Sequence, residues 1–160
     1  MNKCKVYADS NFLISYWIRG HDNYNIARMR FFELIEKNVQ FFISPLVIDE
    51  CWYKIYKIWK DYNRESQKSF NEFYQDFREL LDFIISSPFF TIIQLGDDLC
   101  NGCKEALENI KIYNFRPHDA FHLAMMKDNQ IFSIITKDSD FTKQLNQEKL
   151  QKQGFQIISF

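Results

Sequence analysis

Four acidic residues carry the chemistry open to this sequence: Asp9, Glu50, Asp119 and Asp138. Asp9 follows directly on the strand candidate Cys4-Lys5-Val6-Tyr7-Ala8. Asp138 comes just past the mostly apolar run Ile131-Phe132-Ser133-Ile134-Ile135-Thr136. In open α/β sheets the ligand crevice lies outside the carboxyl ends of the strands, so both acids point to one edge. Asp119 falls in the first turn of a helix opened by Pro117, whose missing N–H costs nothing at that position. Glu50 joins the set if its helix starts from the same edge, as the preceding strand Phe41-Phe42-Ile43 indicates. Two carboxylates ~4 Å apart repel by roughly 4 kcal/mol at an effective dielectric near 20, so such a set needs protons or a cation. Hard oxygen ligands without His or Cys select Mg²⁺ or Mn²⁺ over zinc. A cation of that kind orients and activates water and neutralises charge on phosphoryl oxygens, with Asp9 as the central ligand.

Each acid also has a plainer reading. Asp9 can cap a helix, Asp119 can complement a helix dipole, and Glu50 can be the solvated i, i+4 partner of Lys54. Asp138 can be a turn residue with Asp140 its equal. The joint pattern is more specific than any member. His118 and His122 flank Asp119, and structural or substrate-side roles suffice for them. Lys54 and Lys57 share the Glu50 face at i+4 and i+7, where substrate phosphates would lie. Cys100-Asn101-Gly102-Cys103 has C-x-x-C spacing, but no second pair or nearby His completes a zinc site. Packing is the preferred reading for Cys103.

The elements that must position these residues follow from periodicity and punctuation. After the first strand, Ser10 or Asn11 serves as the N-cap of a short helix from Phe12 to Ile18. Ile26, Met29, Phe32 (or Phe31) and Ile35 recur at helical spacing up to Lys37. Gln40 to Ser44 is a strand. A helical hairpin spans roughly 45–86, with Ile48, Trp52, Ile55 and Trp59 as the inner stripe of its first arm. The run Asp61 to Glu65 breaks it, and Phe70, Phe73, Phe77, Leu80 and Ile84 line the second arm. Phe89 to Leu95 is a strand. Gly96-Asp97-Asp98 caps a helix carrying Leu99, Cys103, Ala106 and Ile110. Phe141 to Gln151 is helical, and Phe155 to Ile158 is the last strand. Strands alternating with helices imply an α/β sandwich around a parallel sheet.

With 160 residues and 46% hydrophobic content, the chain reads as one globular domain over residues 1–160. A net charge of −1 excludes a uniformly basic nucleic-acid binder, so any such site must be local. No apolar run reaches the ~18 residues of a membrane helix, and Met1-Asn2-Lys3-Cys4 lacks a signal-type apolar region. No membrane association and a cytoplasmic location are the expectations.

Asp9-Ser10-Asn11 resembles the D-x-N opening of the PIN-domain family. Ser44-Pro45-Leu46-Val47-Ile48-Asp49-Glu50 resembles the segment ending in that family's helical Glu. His118-Asp119-Ala120-Phe121-His122-Leu123-Ala124 is similar to its third acidic motif, and Thr136-Lys137-Asp138-Ser139-Asp140-Phe141 to its T-x-D-x-x-F ending. The four motifs occur in order over residues 9 to 141. The resemblance implies a three-layer α/β/α fold with a five-stranded parallel sheet and Mg²⁺- or Mn²⁺-dependent endoribonuclease activity. By it, Asp9, Glu50, Asp119 and Asp138 are the catalytic metal-binding acids, with Asn11, Thr136 and Asp140 supporting them. Many small members resemble toxins of type II toxin–antitoxin pairs of the VapC kind, which implies an RNA substrate, a cognate antitoxin and a homodimer. The long arm from Trp52 to Ser86 departs from the most compact toxins. A housekeeping RNA-processing nuclease and a catalytically silent partner-binding module are the alternatives. A haloacid-dehalogenase-type phosphatase would need a second Asp where Asn11 stands. Tyr53 and Tyr56 face away from the inner stripe, as residues of a partner site would.

Overall fold

The computed structural model describes residues 3–62, 70–96 and 98–160, apart from the side chains of Tyr62, Phe70 and Phe73. The strands are β1 (Cys4–Ala8), β2 (Val39–Ile43), β3 (Phe90–Ile92), β4 (Ser133–Ile135) and β5 (Gln156–Ile158). All pair in parallel, in the order β3-β2-β1-β4-β5. Successive strand residues point to opposite faces. Val6, Tyr7 and Ala8 are all buried, so helices cover both faces of β1 in a three-layer α/β/α arrangement. Between β1 and β4 the strand order reverses, and this switch point opens a crevice at the carboxyl edge.

The helices are α1 (Ser10–Trp17), α2 (Tyr24–Glu36), α3 (Pro45–Tyr62), α4 (Phe70–Ser86), α5 (Leu99–Tyr113), α6 (Pro117–Asp128), α7 (Ser139–Thr142) and α8 (Gln144–Lys152). None is long and apolar enough to cross a membrane among the described residues. The hairpin of α3 and α4 packs as its periodicity predicts: Ile48, Ile55, Leu80 and Ile84 are buried, while Trp52, Trp59 and Phe77 are partly buried against them. Residues 63–65 of the expected break, the side chains of the stripe positions Phe70 and Phe73, and the capping residue Asp97 lie outside what is described.

Several local expectations are corrected. The first helix begins at Ser10, and Asp9 is its N-cap, with Oδ1 accepting from the Ser10 N–H at 2.6 Å. The chain turns directly off β1, so Ser10 and Asn11 are already helical. On α2 the buried residues are Ala27, Phe31 and Leu34, because Phe31 stacks on Phe41 and Phe90. Ile26, Met29 and Phe32 are exposed. Strand β3 is shorter than Phe89 to Leu95. Its last link is Ile93 N–H to Ile43 C=O, and beyond that its partner has turned into α3 at Pro45. Cys103 is exposed, since α5 turns Ala106, Asn109 and Tyr113 inward. The helix expected over Phe141 to Gln151 is two helices separated at Lys143, whose backbone is extended (ψ 131°).

Candidate metal centre

At the carboxyl edge of β1 and β4 one buried hydroxyl joins three polar groups. Thr136 Oγ1 donates to Asp9 Oδ2 at 2.6 Å and accepts from Asn11 Nδ2 at 3.1 Å and from the Asp138 N–H at 2.8 Å. Asn11 Oδ1 in turn accepts from the Lys137 N–H. Asp9 is buried with both oxygens engaged, so its orientation is set by the backbone turn after β1 and by the strand end opposite. Of the two residues expected to support the acids, Thr136 contacts Asp9 directly and Asn11 reaches it through Thr136.

Glu50 stands one and a half turns into α3, facing the first turns of α6. Its Oε1 lies 3.2 Å from His118 Nδ1 and its Oε2 3.3 Å from His122 Nε2, the latter at ion-pair distance without hydrogen-bond alignment. Burial alone would raise the Glu50 pKa; the close approach and charge of His122, followed by Ser10 and Lys54, outweigh it and hold it at about 2. His122 is buried, with its Nδ1 2.7 Å from the Tyr7 hydroxyl, which also meets Ser44 Oγ at 2.7 Å. Burial works against a charged His122, but Glu50, Asp9 and Asp119 raise its pKa overall. The histidines are therefore Glu50 contacts, and His122 is wedged between the sheet and α3.

The third set of acids gathers at α6 and α7. Asp119, Asp138 and Asp140 hold one oxygen each within 4.8 Å of one another, and in a neighbouring group an oxygen each of Asp9 and Glu50 and a ring nitrogen of His122 lie equally close. Burial, and then the charge of Asp138, push Asp119 up to about 7, against the pull of Arg116. Burial also opposes charge on Asp140, but its contacts with Arg116 and Lys143 hold it at about 2. The Arg116 guanidinium bridges this set, donating to Asp138 at 2.7 Å to each oxygen and to Asp119 and Asp140 at 3.1 Å.

Asp9, Glu50, Asp119 and Asp138 all line one cavity of about 590 Å³, together with Ser10, Asp49, Tyr53, Lys54, Arg116 and His118. Asp140 sits behind Asp138, which caps α7 through the Asp140 N–H at 2.8 Å. Lys54 reaches Ser10 Oγ at 2.8 Å, while Lys57, one turn further along α3, is exposed and does not line the cavity. The donor set suits a hard divalent cation, since it is built from carboxylate oxygens. Burial and then the neighbouring Asp138 disfavour the ionised form of Asp119, which a cation bound there would stabilise.

Sequence reasoning did not single out Arg116, Tyr7 or Ser44 for the site. Tyr7 and Ser44 are polar groups in apolar surroundings at the ends of β1 and β2, but no spacing links them to His122. Arg116 is signalled only by its i, i+3 relation to Asp119 across a helix start.

A family model described as PIN domain matches residues 6–144. No curated protein sequence matches the chain. Among solved structures, the chain is similar to VapC20 of Mycobacterium tuberculosis, described as a sarcin–ricin loop cleaving toxin, with 15% identity, TM-score 0.60, and 86% of this chain and 92% of the other covered. It is similar to VapBC2 from Rickettsia felis bound to a DNA fragment from their promoter, with 16% identity, TM-score 0.60, and 97% and 98% covered. A toxin–antitoxin complex from Klebsiella pneumoniae gives 17% identity, TM-score 0.54, and 88% and 93% covered.

Proposed function

The chain belongs to the PIN-domain family, and we propose that it is a metal-dependent endoribonuclease acting as the toxin of a type II toxin–antitoxin pair in the cytoplasm. The observation that carries the reading is the convergence of Asp9, Glu50, Asp119 and Asp138 on one cavity at the sheet's switch point. These four would hold Mg²⁺ or Mn²⁺, which when bound supplies an activated water and positive charge for phosphoryl oxygens. Asp9 needs no rearrangement to act as a ligand, because Ser10 and Thr136 already orient it. Thr136 and Asn11 are positioning residues for Asp9, and Asp140 positions Asp138 and Arg116. Glu50 stays ionised at neutral pH beside the two histidines, so it can hold a cation. Lys54, inside the cavity, would take a phosphate of the RNA, and Lys57 would extend that contact along the outer face of α3.

The toxin role draws on neighbours described as a toxin and as a toxin–antitoxin complex. A cognate antitoxin and a second copy of the chain are the partners proposed, with the exposed Tyr53 and Tyr56 as contact residues. The test is incubation of the purified chain with single-stranded RNA. Cleavage in Mg²⁺ or Mn²⁺, abolished by EDTA, is the expected result. Intact RNA in both metals would overturn the nuclease reading.

A further inference from the structure

The acid cluster contains a cation supplied by the chain itself. The Arg116 guanidinium engages both oxygens of Asp138 through Nη2, and one oxygen each of Asp119 and Asp140 through Nε. Those three carboxylates are one of the two groups that can converge on a metal ion. Guanidinium and metal would therefore compete for the same acids, and two cations a few ångströms apart repel.

Arg116 is also built to leave. Its side chain is 60% exposed and lines the cavity, whereas the carboxylates of Asp119 and Asp140 it binds are 9% and 7% exposed. Its backbone is anchored separately: the Arg116 N–H donates to Asp140 Oδ2, and the residue is the N-cap of α6. The guanidinium can thus swing into solvent without moving the helix that carries Asp119. Asp140 also holds Lys143 on its other oxygen at 3.1 Å, a contact that does not involve the guanidinium. Asp119 and Asp138 have no other lysine or arginine within ion-pair distance among the described residues.

We propose that Arg116 is a built-in counter-ion of the metal-free site, displaced when the divalent cation binds, so that it sets the metal concentration at which the site loads. The proposal rests on the metal reading given above. A purely structural ion pair would instead hold α6 to α7, and its loss would disorder the acids and weaken metal binding.

Calorimetric titration of Mn²⁺ into the native chain, Arg116→Ala and Arg116→Lys separates the two. Arg116→Ala is expected to bind Mn²⁺ at least tenfold more tightly than the native chain, with Arg116→Lys between them. Equal or weaker binding by Arg116→Ala overturns the displacement. Absence of binding by the native chain and by both variants overturns the metal reading as well. A second measurement needs no variant. The Arg116 Nε–H proton resonance of the native chain should move and lose its protection from exchange during a Mg²⁺ titration, with the midpoint of metal binding. A resonance unmoved at saturating Mg²⁺ overturns the proposal.

Discussion

Asp119 holds the least favourable charge in the cavity, and that gives the site a pH signature. Its folded pKa of about 7 lies above the ordinary carboxylate value, through burial and then the charge of Asp138. A raised carboxylate contributes stability that is complete below about pH 4 and is lost as pH rises through about 7. Thermal denaturation of the metal-free protein should show the melting temperature falling between about pH 4 and 7, with Asp119→Asn flattening the decline. Mn²⁺ binding should tighten over the same window, as Asp119 gives up its proton. Glu50 and Asp140, both at about 2, act oppositely: their contributions are lost only as pH falls towards that value. Thr136 makes a second residue-scale prediction. Thr136→Val keeps the shape but strands Asp9, Asn11 and the Asp138 N–H, and should cost about 1–3 kcal/mol in denaturant unfolding. The four acids were legible because strand ends and helix starts locate them. Thr136 was legible only as part of a motif. Arg116 was not, because an arginine ahead of a proline carries no periodicity, and two of its partners, Asp138 and Asp140, lie far along the chain at the start of α7.

At the scale of elements, α3 links the core to the cavity. Ile48 and Ile55 point inward, Glu50 and Lys54 face the site, and Tyr53 and Tyr56 are 66% and 42% exposed. Replacing Lys54 and Lys57 with Ala should weaken RNA binding and flatten its salt dependence, measured by anisotropy titration at several ionic strengths, because fewer counterions are released. Replacing the exposed Tyr56, which does not line the cavity, with Ser should weaken association with partner chains while leaving cleavage of short RNA intact. Leu80→Ala in α4, by contrast, removes a buried side chain and should cost about 2–5 kcal/mol in denaturant unfolding. Helix and strand existence was readable from spacing, but faces and ends were less so. On α2 the apolar residues run nearly all round one half, so the stacking of Phe31 on β2 and β3 chose the buried face. Strand β3 ends where its partner does, a tertiary fact that the β-rich run Phe89 to Leu95 does not contain.

For the whole molecule, the parallel order β3-β2-β1-β4-β5 converts residues far apart in sequence into one site. Asp9 and Asp138, 129 positions apart in the chain, leave adjacent strands at the same edge. Helices α3 and α6 then bring in Glu50 and Asp119, and the contacts of Glu50 with His118 and His122 of α6 tie the two helices together across the cavity. This architecture was legible from the alternation of elements and from the family motifs. Arg116, which neutralises one acid group of the cavity, emerged only from the coordinates. The central claim is that these acids hold a metal for RNA hydrolysis, with Asp9 at the centre. Its most direct test is the rate of Mn²⁺-dependent RNA cleavage by Asp9→Asn, with folding checked by circular dichroism. The account predicts a loss of roughly 10²-fold or more with the fold retained, because an anionic ligand becomes neutral at nearly constant shape. A folded Asp9→Asn variant as active as the native chain would contradict it.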